Sequence, residues 1–447
     1  MARARRMSRR QALKLGAAMA VLPLVHVRRA GAAGKLSVAF WDHWVPQGNE
    51  VMKKQVRAWA EKNKVEVQAD FITSNGNKNL LTIAAEAQAG TGHDIQSFPT
   101  WEVHNHADRL EPMDDVMKRL TDRYGPVNEV CYYLARARGH WLAVPTSTGT
   151  QNKPPCARIS VLKKEAGLDV VAMYPPHDVN YPEGQNWTWD TLLKAAEACY
   201  KAGMPFGIGL GTTSDSVDFA GALFASFGAE LVDSKGNITV KSEAVRKVLE
   251  YAEKLVKFLP PDAAAYDDAS NNRALISGKS ALIFNPPSAW AVAKRDAPQV
   301  AADCWTFSSP AGPKGRFVPY LPYFWGVWSF SRNKSAAKDL IEYLMQRPLV
   351  EERCTVVEGY DIPPFPTMLN FKVWAEAGPP KGTVYNYPIR PAHHARPHIA
   401  ASEASPEVAV QIYNRGIMPT MMAKLKSGQS IDQVIAWAQN ELEGFVR

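Results

Sequence analysis

Residues 271–290, NNRALISGKSALIFNPPSAW, decide the fold class. The first half carries Ala274, Leu275 and Ile276 and runs into Gly278, the pattern of a helix that ends on a residue tolerant of left-handed backbone. The second half, 281–284, is a short apolar run bounded by turn residues, as expected of a buried strand. Asn285, Pro286 and Pro287 stop that strand, and Trp290 follows. An amide, two prolines and an indole just past the carboxyl end of a buried strand fit the rim of a cleft, where open α/β sheets bind ligands.

Outward from this stretch the same alternation recurs. Residues 36–40 are β-rich and feed Trp41-Asp42-His43-Trp44, while Met52, Val56 and Trp59 form a helical stripe before a second strand at 65–71. Asn75-Gly76-Asn77 turns the chain into a helix at 80–89. Further on, Thr188 and Ser242 are positioned to cap helices, the second carrying Val245, Val248, Leu249, Ala252, Leu255, Val256 and Leu259 on one face. Residues 305–315 are dense in proline and glycine and predict a crossover. A strand at 325–330, a helix at 334–345 and a final helix at 430–442 complete the pattern. Strand–helix alternation of this kind predicts an α/β fold with a mainly parallel sheet. The glycines at 207–211 lack the strand–turn–helix context and the G-K-[ST] closure of nucleotide loops.

At 447 residues the chain suits two lobes of roughly 150 to 200 residues each. Its formal charge of +8 is local: residues 1–34 hold eight Lys and Arg and no acid, and removing these from the total of 52 leaves 44, matching the 44 Asp and Glu. The balanced remainder gives no support to nucleic-acid binding. The leader has a basic start, an apolar run at 15–27 and small residues at 30–33, the pattern of a secretion signal too short to span a membrane. Within it, residues 8–14, SRRQALK, resemble the twin-arginine export signal, with alanine where phenylalanine is usual. No cysteine follows for lipid attachment. The five cysteines are far apart and predict buried structural thiols. His104, His106, His393, His394 and His398 lack metal-site spacing and are expected at the surface. The adjacent pairs Asp114-Asp115 and Asp267-Asp268 do not fix a catalytic carboxyl separation, and no nucleophile motif is evident.

Seven passages in order resemble the family 1 extracellular solute-binding proteins, the carbohydrate receptors related to maltose-binding protein. Residues 36–44 resemble that family's opening strand, 89–95 its small-Gly-x-Gly-Pro-Asp turn with histidine for proline, and 138–145 its passage into the second lobe. Trp189-Asp190, Phe227-Gly228-Ala229, Asp233-Ser234-Lys235-Gly236 and 277–281 are similar to its later motifs. Cys156-Ala157-Arg158-Ile159 departs from the usual Tyr-Asn-Lys.

The resemblance implies a type II periplasmic binding protein fold: a twin-arginine leader at 1–34, a first lobe of 35–143 with 308–346, and a second of 144–307 with 347–447. Hinge crossings are expected near 141–145, 305–310 and 346–350. It further implies a periplasmic, non-enzymatic, monomeric receptor that grips a sugar, oligosaccharide or polyol and closes, delivering it to an ABC permease and its ATPase, without metal or cofactor. Sugars need flat aromatic platforms and polar side chains that fix their hydroxyls. The expected ligand residues are Trp41, Asp42, Trp44, Asn75, Trp101, Asp218, Asn285, Trp290, Trp325, Tyr360 and Asp361, with His43, Asn77, Phe98, Tyr323 and Phe324 beside them. A polyamine or metal-complex receptor and a secreted carbohydrate-active enzyme are the alternatives. An acidic cleft favours the polyamine, clustered tyrosines and histidines the metal, and facing acids at glycosidase spacing the enzyme.

Overall fold

The structure, a computed structural model, describes residues 34–175, 183–285, 288–376 and 395–446. The leader up to residue 33, Pro286, Pro287, His393 and His394 lie outside the described residues. The apolar runs near the start become β1 (Lys35–Trp41), β2 (Glu66–Ile72) and β3 (Ile95–Pro99). β1 pairs in parallel with β2 from Lys35↔Glu66 to Trp41↔Ile72 and with β3 from Val38↔Ile95. Helices Pro46–Asn63 and Lys78–Ala89 make the parallel connections, and Gly90 ends the second at a φ of 64°, where glycine carries no Cβ penalty.

β4 (Val144–Asn152) is buried along its whole length and belongs to this same sheet. The chain then forms a separate three-stranded antiparallel sheet from β5 (Pro155–Arg158), β6 (Leu282–Phe284) and β7 (Cys304–Thr306). The long β8 (Gly315–Val327) joins the two units. Its early residues pair in parallel with β9 (Arg396–His398), and Tyr323–Val327 pairs antiparallel with β3. On its other edge Trp325 faces Val144 and Tyr320 faces Asn152 of β4.

These pairings move the crossings. Residues 144–152, assigned from sequence to the second lobe, remain in the large sheet, and the chain leaves it at Lys153. The return runs through β8 itself rather than through 305–310. Helix Arg347–Val356, also expected in the second lobe, packs on helix Pro46–Asn63: the buried Arg353 guanidinium donates to Gln55 Oε1 at 2.6 Å and to the Leu344 carbonyl at 2.7 Å.

The second unit is mostly helical. Thr188 and Ser242 cap helices Trp189–Lys201 and Glu243–Leu255 through their hydroxyls, as the spacing predicts. Helix Ser214–Phe227 begins at capping Thr213 and places Asp215 in its first turn, where the helix dipole favours negative charge. Helices Ile417–Lys426 and Ile431–Glu443 complete the unit, the latter with a capping box from Ser430 and Gln433. Residues 271–290 resolve into helix Ser270–Ile276, Gly278 at a φ of 73°, β6 and helix Ser288–Asp296. His398, expected at the surface, is buried beside Phe317, and burial holds its imidazole down at about 4.

Ser242→Ala removes one cap and is expected to lower stability by about 1 kcal/mol, measured by urea unfolding of the mature chain. An unchanged midpoint would contradict the capping role.

Candidate functional site

Two adjoining hollows open between the units and share Ser74, Ser214, Asp268, Leu321 and Tyr323 in their walls. With their open mouths included they span ≈ 360 and ≈ 600 Å³. The large-sheet unit supplies Trp41, Trp44, Ser74 and Tyr360, and the helical unit supplies Ser214, Asp215, Asp268, Asn272 and Asn285. Gln151, Leu321 and Tyr323, from β4 and β8, form the back.

The first wall is aromatic. Trp41 ends β1, with the Tyr323 ring 5.3 Å away and the Tyr360 ring stacked at 6.3 Å and 25°. Gly149 makes this packing possible: a Cβ there would lie 2.8 Å from Tyr323 and 3.1 Å from Trp41, and the residue sits at a φ of +86°. Behind the rings, the Val45 amide donates to His43 Nδ1 at 2.8 Å, so the ring proton sits on Nε2 and is donated to Asp361 Oδ1 at 3.1 Å. The same carboxylate oxygen accepts the Gly149 amide at 3.0 Å. Asp361 thereby ties three segments together under the aromatic face.

The second wall is polar and built around a buried ammonium. Lys153 Nζ lies 2.7 Å from Asp215 Oδ1 and 2.8 Å from Asp218 Oδ2, and it donates to Ser214 Oγ at 3.2 Å. Burial opposes the lysine's charge, but the two carboxylates outweigh it and raise its pKa, so the ammonium stays protonated. Tyr413 donates its hydroxyl to Asp218 Oδ1 at 2.8 Å. Asp215 Oδ2 accepts from Asn271 Nδ2 at 2.8 Å and Asn285 Nδ2 at 3.2 Å, which fixes both amides. Asp268 is different. Burial first, then repulsion from Asp215, pushes its carboxyl up to about 7 despite Lys153.

Of the residues expected at a ligand, Trp41, Trp44, Asn285 and Tyr360 come together on the hollow, with Tyr323 among them and Asn77 on the adjoining one. Asp218 and Asp361 are buried one layer behind. Asp42 accepts from Asn49 Nδ2 at 2.7 Å, and Asn75 is exposed beside lining Ser74. Trp101, Trp290 and Trp325 are corrections: all three are core residues. Trp101 and Trp290 donate their indole N–H to the Ala400 and Ala301 carbonyls, and Trp325 packs edge-on to Phe40 at 5.6 Å. Strand-end position misled for Trp290, which lies in a helix packed on the small sheet, and for Trp325, which lies inside β8 between two strands. The sequence reading missed Gln151, Lys153, Ser214, Asp215 and Asn272. A helix N-terminus at Ser214–Asp215 was the available signal; nothing local marked Lys153.

The sequence profile of the bacterial extracellular solute-binding proteins matches residues 54–379. The chain belongs to this family. Among solved structures, this solute-binding protein is similar to maltose-bound T. maritima MalE3, at 18% identity and a TM-score of 0.73, over 92% of this chain and 99% of that one. It is also similar to a sugar transporter protein from Arthrobacter chlorophenolicus A6 with bound laminaribiose (15% identity, TM-score 0.72, 92% and 100% coverage). A third is a solute-binding protein from Agrobacterium vitis S4 with bound D-mannitol (18% identity, TM-score 0.65, 92% and 97%). At these identities the likeness carries the two-lobed fold. No curated protein sequence matches significantly.

The placement of the tryptophans separates core from cleft. Trp325→Ala is expected to lower unfolding free energy by about 3–5 kcal/mol, whereas Trp44→Ala, half-buried on the rim, is expected to leave it nearly unchanged. Urea unfolding of both variants checks this, and the reverse order would contradict the assignment.

Proposed function

We propose that this solute-binding protein is the periplasmic receptor of an ABC importer for a sugar, oligosaccharide or polyol. The observation that carries the reading is the cavity itself. A face of aromatic rings stands opposite a face of amides, hydroxyls and carboxylates, the combination that suits the C–H faces and hydroxyl edges of a carbohydrate. Maltose, laminaribiose and mannitol in proteins of the same fold support it. The site binds without catalysis: the acids lining the central hollow, Asp215 and Asp268, both come from the helical unit, whereas glycoside hydrolysis needs carboxyls flanking the bond.

The first lobe comprises 35–152 and 320–376, the second 154–175, 183–285, 288–319 and 395–446, with Lys153 and β8 at the hinge. Solute bridges the two walls and shifts the population toward a closed form that the permease and its ATPase read. The chain acts as a monomer and reaches the periplasm through the twin-arginine route. None of Asp94, Ile95 and the surrounding β3 turn touches solute in this reading; they support the sheet.

A thermal-shift screen of the mature protein tests this with carbohydrates and polyols, with and without amino groups, alongside polyamines and metal salts. A carbohydrate or polyol at a hundred times its Kd is expected to stabilise the fold by about 2.7 kcal/mol through mass action. Stabilisation by polyamines or metal salts alone would overturn the reading.

A further inference from the structure

The carboxylates and the unpaired atoms of the cavity narrow the solute further. Among the described residues, no Lys or Arg lines either hollow. Lys153, behind the wall, is already held by Asp215 and Asp218, and Arg273 is paired with Asp267 at 2.9 Å. Asp268 faces both hollows, and its Oδ1 accepts no hydrogen bond from the protein. Gln151 is 5% exposed, lines the same hollow, and has a buried Oε1 that is likewise without a donor. Against these two acceptors stands, among the described lining residues, one unpaired buried donor, Trp41 Nε1.

We infer that the solute is a carbohydrate bearing a protonated amine, its ammonium seated against Asp268 within the aromatic-lined hollow. The inference rests on the carbohydrate reading above. A hydroxyl brings both donors and acceptors, so a neutral sugar has no preference for a wall whose free atoms are mostly acceptors. An ammonium brings three donors and no acceptor, and gains from a carboxylate and from nearby aromatic faces such as Trp41, Trp44, Tyr323 and Tyr360. Charge points the same way. Asp268 is repelled by Asp215, Asp218 and Asp267, with Lys153 opposing, and burial together with the carboxylates of Asp268, Asp215 and Asp218 raises the Tyr323 phenol. An added cation relieves that excess of negative charge. Ser74, Ser214, Asn272 and Asn285 around it suit the hydroxyls of the same molecule rather than a bare diamine.

Isothermal titration of the mature protein tests this with matched pairs: glucosamine against glucose, galactosamine against galactose, and 6-amino-6-deoxyglucose against glucose. N-acetylglucosamine is the uncharged amide control, and spermidine the hydroxyl-free cation. At least one amino sugar is expected to bind about tenfold or more tightly than its hydroxyl partner, the size of a charge-assisted hydrogen bond. Asp268→Asn is expected to weaken the amino sugar about tenfold more than its hydroxyl partner and so abolish that preference, with the melting temperature unchanged or raised, which separates a charge effect from misfolding. Equal or tighter binding of every neutral partner, or an amine preference that survives in Asp268→Asn, would overturn the inference and leave the carbohydrate reading standing. No binding by any member of the pairs would overturn the inference, and binding of spermidine with no carbohydrate bound would overturn both.

Discussion

The Lys153 ammonium is the contact on which the cleft's polar wall depends. It sits where the chain leaves the large sheet and reaches into the start of helix Ser214–Phe227, holding Asp215 and Asp218 within 2.8 Å. A buried charge is tolerated only when paired and hydrogen-bonded, and here the pairing links the hinge to the helical unit. Asp215 in turn orients Asn271 and Asn285, so one buried ion helps fix the Asn285 amide that faces the opening. The aromatic wall has an equivalent device in Asp361, which joins His43, Gly149 and the Tyr360 segment from behind.

Much of the architecture was legible because it is locally written. Ser242 and Thr188 each precede a periodic apolar face and cap as expected. The apolar runs at 36–40 and 65–71 had no competing period, and Gly278 marked its helix end. β4 and the part of β8 before Trp325 were not legible, the expected strand at 325–330 catching only its end. VPTSTGTQN has too few apolar residues to announce a strand, because its burial comes from neighbours on both sides, and β8 carries Pro319 and Pro322, which normally argue against an interior strand. A bulge between Leu321 and Tyr323 accommodates the second. Missing these two strands displaced the predicted hinges.

The site was legible by segment and not by side chain. Four of the expected segments meet at the opening, through Trp41, Trp44, Asn285 and Tyr360, since each follows a strand or helix end at the mouth of the sheet. Direction within a segment is a tertiary property, however. Trp101 has its indole N–H satisfied by the Ala400 carbonyl far along the chain, and Trp290 has its own satisfied by Ala301 in the next helix, and no local pattern reports either. Lys153 is further out of reach, because a lone lysine between a strand and two prolines reads as a solvated surface residue until Asp215 and Asp218 are brought to it by the fold.

In the proposed reading the guest bridges the aromatic face and the polar face. The most direct measurement is a crystal structure of the mature protein with the carbohydrate that stabilises it most. The account requires density for that molecule between the Trp41–Tyr323–Tyr360 rings and the Asp215–Asn285–Asp268 side chains. Density confined to another surface, such as the outer hollow formed by Pro46, Val292 and Arg295, would contradict it.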